Sequence, residues 1–420
     1  MSKNYEESLE QMKNLVIYRD LTKDKVVQAW QNQNEGPYDF SFVLSCAAAK
    51  TGLSGKIWPD YLLDIILTDD NIFSRSSAYV DWKQLNFQIK AAAVEELAVL
   101  QGVARNIWPR NGAAYSQTVL DLLENFKMPD VLPQFGALYI REREKIADDF
   151  TALAPMELAE RLAGFHKKLG FGSQVCFTAY RWANHLTGIP QPDPVTLDTL
   201  IGYEYQKQII CENTEAFLNH GIANNLLLYG ERGTGKSSTI KAVINKYAEQ
   251  GLRIVELPRQ HIDEFPQLVA QLVGEPLHYI IFMDDLSFDK DETEYKHFKA
   301  LMEGGVANVP KNILMYATSN RRHLVQETWE DRPTSAQEVH LKDNMSEKLS
   351  LADRFGVTIT FASPDQEQYL DIVMGIAEQE GVEMPTEELR RQALQWAVWY
   401  NARSGRTARQ FINSLLGKTE

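Results

Sequence analysis

The sequence predicts an α/β fold: a parallel sheet with helical crossovers, preceded by a mostly α-helical N-terminal domain and followed by a small helical lid. Three observations carry this expectation. Up to about residue 190 the apolar positions, among them Leu9, Met12 and Val16 and later Ala93, Leu97 and Leu100, recur at helical spacing. Pro190, Pro192 and Pro194 then punctuate the chain, because proline removes a backbone donor and turns its predecessor away from helix. Beyond them, apolar runs near 225–229, 253–257, 279–283, 313–318 and 357–361 alternate with helical stretches or loops, as in a sheet of parallel strands.

A chain of 420 residues has room for separate modules, each with its own core. The expected division is a helical region over 1–190, a sheet-bearing domain over 191–362 and a helical lid over 363–420, with amphipathic stretches near 365–380, 386–400 and 405–416. Ile57-Trp58-Pro59 is echoed by Ile107-Trp108-Pro109, but a match of this length is too short to establish a repeat.

Hydrophobic residues make up 44% and charged residues 24%, a balance that excludes global disorder. The first residues are polar and acidic, and no uncharged apolar run is long enough for a membrane span, so neither a leader nor a membrane anchor is expected. Cys46, Cys176 and Cys211 stand far apart, without partners at metal-ligand spacing, which suits reduced thiols and a cytoplasmic setting. A formal net charge of -14 repels polyanions, so a protein partner is expected ahead of nucleic acid.

The chemistry concentrates in the middle of the chain. The apolar run 225–229 leads into Gly230, Glu231, Arg232, Gly233, Thr234, Gly235, Lys236 and Ser237, a complete G-x-x-x-x-G-K-S motif, and a helical pattern starts at Ser238. Glycines there let backbone N–H groups curl round phosphates, lysine reaches the β and γ oxygens, and the serine hydroxyl ligates Mg²⁺. The buried-looking strand Tyr279–Met283 ends at Asp284 and Asp285. Beside a phosphate loop, the first carboxylate would hold Mg²⁺ through water and the second would orient or deprotonate an attacking water.

These segments, with the strand that ends at Asn320, resemble AAA+ P-loop ATPases. More narrowly, the stretch from about Leu197 to Leu416 resembles an uncharacterised bacterial AAA+ family catalogued as a domain of unknown function. Tyr316–Arg322, Ala352–Gly356 and Ser404–Phe411 carry that closer match. The resemblance implies ATP and Mg²⁺ as ligands. It places Asn320 at the sensor-1 position and Arg354 at the arginine finger that reaches a neighbour's nucleotide. Arg406 falls at sensor 2 with Arg409 as the substitute, while Ile201 and Gly202 lie against adenine. A finger implies a homo-oligomer, a ring or partial ring. Two departures stand out: Asp285 occupies a position where most AAA+ hydrolases have Glu, and Pro258–Asp263 replaces the aromatic-apolar-Gly loop of protein-threading members.

Three functions are open at this point. The first is an ATP hydrolase that drives conformational change in itself or in a protein partner. The second is an ATP-dependent switch or scaffold with little turnover. The third is a small-molecule kinase, in which the sensor, finger and lid positions would have no purpose.

Overall fold

The computed structural model describes residues 2–33, 37–51, 55–106, 116–126, 134–286, 310–320 and 355–417. Arg354, the polar stretch 330–350 and Ile107-Trp108-Pro109 lie outside the described residues. The chain divides into two compact units, one of 1–179 with 188–192 and the other of 180–187 with 193–420. Among the described residues, no helix is long and apolar enough to cross a membrane.

The first unit is helical: α1 (Ser2–Met12), α2 (Lys25–Gln31), α3 (Pro37–Thr51), α4 (Ile57–Leu67), α5 (Ile72–Tyr79), α6 (Phe87–Arg105), α7 (Gln117–Glu124), α8 (Ala137–Ala147) and α9 (Pro155–Leu169). Its core contains an aromatic cluster in which Trp30 stacks on Trp58 with ring centres 5.9 Å apart, flanked edge-on by Tyr5 and Phe40. Two polar tips of this cluster are bonded: Trp58 Nε1–H donates to the Val103 carbonyl at 3.1 Å and Tyr5 O–H to the Trp30 carbonyl at 2.7 Å, while Trp30 Nε1 has no partner among the described residues. Val16, which the apolar spacing assigns to the first helix, instead lies beyond the end of α1 and is exposed. There the chain turns, and the buried Glu96 carboxylate accepts the N–H groups of Val16, Ile17 and Tyr18 at 2.8–3.1 Å. One side chain on α6 thus satisfies backbone donors that no helix serves.

The second unit is built on a seven-stranded sheet in the order β2-β1-β4-β5-β6-β3-β7. Its strands are β1 (Ala179–Trp182), β2 (Leu186–Gly188), β3 (Leu226–Gly230), β4 (Leu252–Glu256), β5 (His278–Met283), β6 (Ile313–Ser319) and β7 (Val357–Phe361). The pairs β4·β5, β5·β6, β6·β3 and β3·β7 are all parallel. Every residue of β6, and Leu226, Leu227 and Leu228 of β3, is buried, as expected of strands covered on both faces. Connecting and flanking helices are α10 (Glu204–His220), α11 (Lys236–Tyr247) and α12 (Phe265–Leu272). After β7 come α13 (Gln366–Gln379), α14 (Thr386–Trp399) and α15 (Gly405–Leu416), which share a hydrophobic cluster that includes Tyr369, Leu389 and Phe411.

The β1–β2 hairpin precedes the proline segment, yet residues 180–187 cluster with the second unit. The reason is local. The hairpin extends the sheet beside β4, Trp182 Nε1–H donates to Glu264 at 2.6 Å, and Arg181 pairs with Glu256 at 2.9 Å. The proline segment itself brackets the second crossing between units, after Pro192.

Near the end of α9, His166 is completely buried, edge-on to Phe73 and Phe165. Its Nδ1–H donates to the Gly170 carbonyl at 3.0 Å, while Nε2 has no protein partner among the described residues. Burial pushes its pKa from 6.5 down to about 4, only partly opposed by that hydrogen bond. In the unfolded chain the imidazole takes up its proton near pH 6.5, whereas the folded chain resists protonation until about pH 4. Stability therefore falls as pH drops through this window, by about 3 kcal/mol at its foot. His166→Gln, which does not titrate, should flatten the pH dependence of thermal unfolding between those values. Parallel parent and variant curves would refute the assignment.

Candidate functional site

All parallel strands of the sheet end on the same edge, and the residues following β3, β5 and β6 meet there. Gly230, the last residue of β3, has φ +150°, and a Cβ added there would lie 1.9 Å from the Phe361 carbonyl oxygen on β7. Only glycine fits so close an approach. The loop then runs to Gly235, the N-cap of α11, so the helix begins at Lys236 and directs its N-terminus toward the cleft.

Lys236 is buried, and its ammonium donates to the carbonyls of Gly230 at 2.8 Å and Glu231 at 2.7 Å and to Asn320 Oδ1 at 3.2 Å. Burial lowers its pKa, opposed by the carboxylates of Asp284 and Asp285, while Arg232 and Arg406 add to the lowering. Gly230 and Glu231 thus act on the site through their carbonyls. Arg232, Gly233, Thr234 and Ser238 line the cleft itself, a cavity of about 810 Å³. Thr234 Oγ1–H closes the loop on the Glu231 carbonyl at 2.9 Å.

Ser237 Oγ–H donates to Asp284 Oδ1 at 2.6 Å, and so does Thr318 Oγ1–H, also at 2.6 Å. Two hard oxygen ligands, one carboxylate and one hydroxyl, are a set that suits Mg²⁺, which otherwise keeps waters and substrate oxygens around it. Asp285 has φ +53°, and its N–H is accepted by Thr318 Oγ1 at 2.9 Å. Its carboxylate takes a hydrogen bond from Asn320 Nδ2–H, and Arg232 stands 3.9 Å away. The structure therefore places Asp284, Asp285, Asn320 and the phosphate loop together.

Arg406 also lines this cleft, brought there by the start of α15. Ser404 Oγ caps that helix by accepting the Thr407 N–H at 3.1 Å, and the Arg406 N–H donates to the Gly233 carbonyl at 3.2 Å. Among the described residues, the Arg406 guanidinium has neither an ion pair nor a side-chain hydrogen bond, whereas Arg409 is paired with Glu380. Of the two arginines, Arg406 is the one left available to a ligand. Arg354 lies outside the described residues.

At the other end of the cleft, Ile201 and Gly202 face Ile372 and Ile376 of α13. Gly375 makes room for Ile201, since a Cβ there would lie 2.8 Å from Ile201 Cγ1. The Tyr203 hydroxyl donates to the Ala362 carbonyl at 2.6 Å, and buried Lys207 donates to the carbonyls of Leu197 and Leu200, fixing the segment that carries Ile201. Thr318, Tyr203, Lys207, Ile372 and Ile376 escaped the sequence analysis. Helical periodicity could have found the Ile372/Ile376 pair.

Residues 175–419, more than half of the chain, match the model of the family described as "Protein of unknown function (DUF815)", and the chain belongs to that family. Its fold and phosphate loop are those of an AAA+ P-loop protein. The 26S proteasome regulatory subunit 4 homolog of Saccharomyces cerevisiae is 36% identical over 99 residues, 20% of this chain. The match spans only 23% of that relative's length. Among solved structures, the Thermotoga maritima RuvB Holliday junction branch migration motor is similar with a TM-score of 0.33 and 15% identity, over 53% of this chain and 72% of that one. Further structures of the same RuvB match at the same TM-score.

The contact at Gly230 sets a test of the loop's construction. Gly230→Ala should cost about 3 kcal/mol or more through overlap with the Phe361 carbonyl and an unfavourable φ, measured as a loss of thermal or denaturant stability of the full chain. A variant as stable as the parent would show that β7 does not stand so close.

Proposed function

We propose that this member of the DUF815 family binds ATP with Mg²⁺ and hydrolyses it, assembled with further copies of itself, to drive conformational change in itself or in a protein partner. The observation that carries this reading is the meeting, in one cleft, of Lys236, the Ser237–Asp284 pair and the Asn320–Asp285 pair. Lys236 and the N–H groups of the loop bind the β- and γ-phosphates. Ser237 would hold the Mg²⁺ directly and Asp284 through water, and the ion would supply neutralisation of charge on the phosphate oxygens. Ile201 and Gly202 meet the adenine at the apolar end, and Arg406 reaches the γ-phosphate from the lid formed by α13–α15.

Asp285 orients the attacking water and accepts its proton, with Asn320 helping to place it. The water oxygen bonds to the γ-phosphorus while the bond from that phosphorus to the bridging oxygen breaks, and ADP leaves with the electron pair. Arg354, supplied to a neighbour's site, stabilises charge on the transferred group. That role makes the active unit a ring or partial ring.

A protein partner fits the net charge of -14, which repels polyanions. Charge is the sole ground for setting nucleic acid second, and the RuvB relative is described as a Holliday junction motor. A cytoplasmic setting belongs to this reading and rests on three free cysteines. The second reading, a nucleotide-gated binding switch with little turnover, is favoured by Asp285 itself, whose side chain is shorter than the Glu of most AAA+ hydrolases.

Steady-state ATP hydrolysis measured against protein concentration separates the two. For an oligomeric hydrolase, specific activity rises with concentration; Lys236→Ala loses ATP binding, and Asp285→Ala keeps binding but loses turnover by about 100-fold or more. Tight ATP binding with no turnover would establish the switch instead. Arg354→Ala should bind ATP normally and lose turnover by about 1000-fold or more; normal turnover in that variant would remove the finger assignment.

A further inference from the structure

Thr318 has no role in the sequence pattern, yet its hydroxyl touches both carboxylate-bearing residues at once. It lies on β6, one position beyond Ala317, which is paired with Met283 at the end of β5. From there it donates its one proton to Asp284 Oδ1 at 2.6 Å and accepts the backbone N–H of Asp285 at 2.9 Å. Its own carbonyl takes the N–H of Leu286 at 2.7 Å. The side chain is buried, so water does not readily replace these bonds.

Asp285 adopts φ +53°, a left-handed conformation that costs a non-glycine residue free energy and persists only when its surroundings hold it. Those surroundings are the Thr318 hydroxyl on its N–H and the Asn320 amide on its carboxylate. The turn sends the two acidic side chains different ways, Asp284 onto Ser237 and Asp285 onto Asn320. Because an aspartate reaches less far than a glutamate, the backbone beneath it decides where its carboxylate stands.

We propose that Thr318 is a positioning residue for hydrolysis, its hydroxyl fixing the left-handed turn at Asp285 and with it the place of the carboxylate that orients the water. This rests on the hydrolytic reading above. Thr318→Val keeps the size and branching of the strand residue but removes the hydroxyl, whereas Thr318→Ser keeps the hydroxyl. The expected result for the valine variant is a fall in kcat of about 10- to 100-fold, larger than its change in KM or in the Kd for MgATP, together with a lowered thermal midpoint because the Asp285 N–H loses its buried partner. The serine variant should restore kcat to within about threefold of the parent. Unchanged kcat in Thr318→Val, or equal losses of kcat in both variants, would overturn the proposal.

Hydrogen exchange of the Asp285 amide in the full chain separates failure of the proposal from failure of the hydrolytic reading. Exchange should speed up by about 10-fold or more in the valine variant and remain slow in the serine variant, whether or not ATP is turned over. Unchanged exchange in the valine variant would show that Thr318 does not hold the turn. A parent with no turnover at all would overturn both the hydrolytic reading and the catalytic part of this proposal, even where exchange shows the turn to be held.

Discussion

One carboxylate oxygen, Asp284 Oδ1, accepts hydrogen bonds from the hydroxyls of Ser237 and Thr318. The rest of the site depends on this meeting. Ser237 belongs to the helix that follows the phosphate loop, Asp284 to the end of β5 and Thr318 to β6, so a single acceptor joins three separate chain segments at the sheet edge. Acceptors of this kind are strong because the acceptor is ionised. The parallel pairing of β5, β6 and β3 brings these segments to one edge, and the hydroxyls set their spacing there.

The cleft gathers charged side chains of both signs around the phosphate loop, and isoleucines where residues 201–202 face α13. Lys236, Arg232 and Arg406 gather near the loop, in a chain whose overall charge is strongly negative. Ile201, Ile372 and Ile376 come from two parts of the chain, and Tyr203 and Lys207 hold the first of those parts by its carbonyls or those of its neighbours. Ile372 and Ile376 belong to α13, which shares its core with α14 and with α15, the helix that carries Arg406.

Much of this was legible in the sequence because parallel strands buried on both faces leave continuous apolar runs. Tyr279–Met283 and Ile313–Ala317 are such runs, and the phosphate loop is a pattern whose residue types are dictated by chemistry. The hairpin before the proline segment was not legible: its strands are short, one of them at the edge of the sheet, and its link to the second unit depends on Trp182 meeting Glu264, far along the chain. Val16 misled for a related reason. Its apolar side chain continues a helical spacing, but the conformation is decided by Glu96, whose carboxylate gathers the backbone N–H groups of the turn. Thr318 was hidden because one hydroxyl in an apolar strand carries no pattern; its significance comes from register with Asp284, which is a property of pairing between strands.

The close approach of Gly230 to β7 has a genetic consequence. The obstacle to any side chain at position 230 is the main-chain carbonyl of Phe361, not its ring. Every amino acid presents the same carbonyl, so no replacement at 361 can make room by being smaller. Substitutions at 230 should thus lack intragenic suppressors at the residue they strike, and relief would have to come from changes that shift the whole strand. Where contacts are between side chains, as with Gly375 and Ile201, a smaller partner can compensate; here the glycine stands alone as the permitted residue.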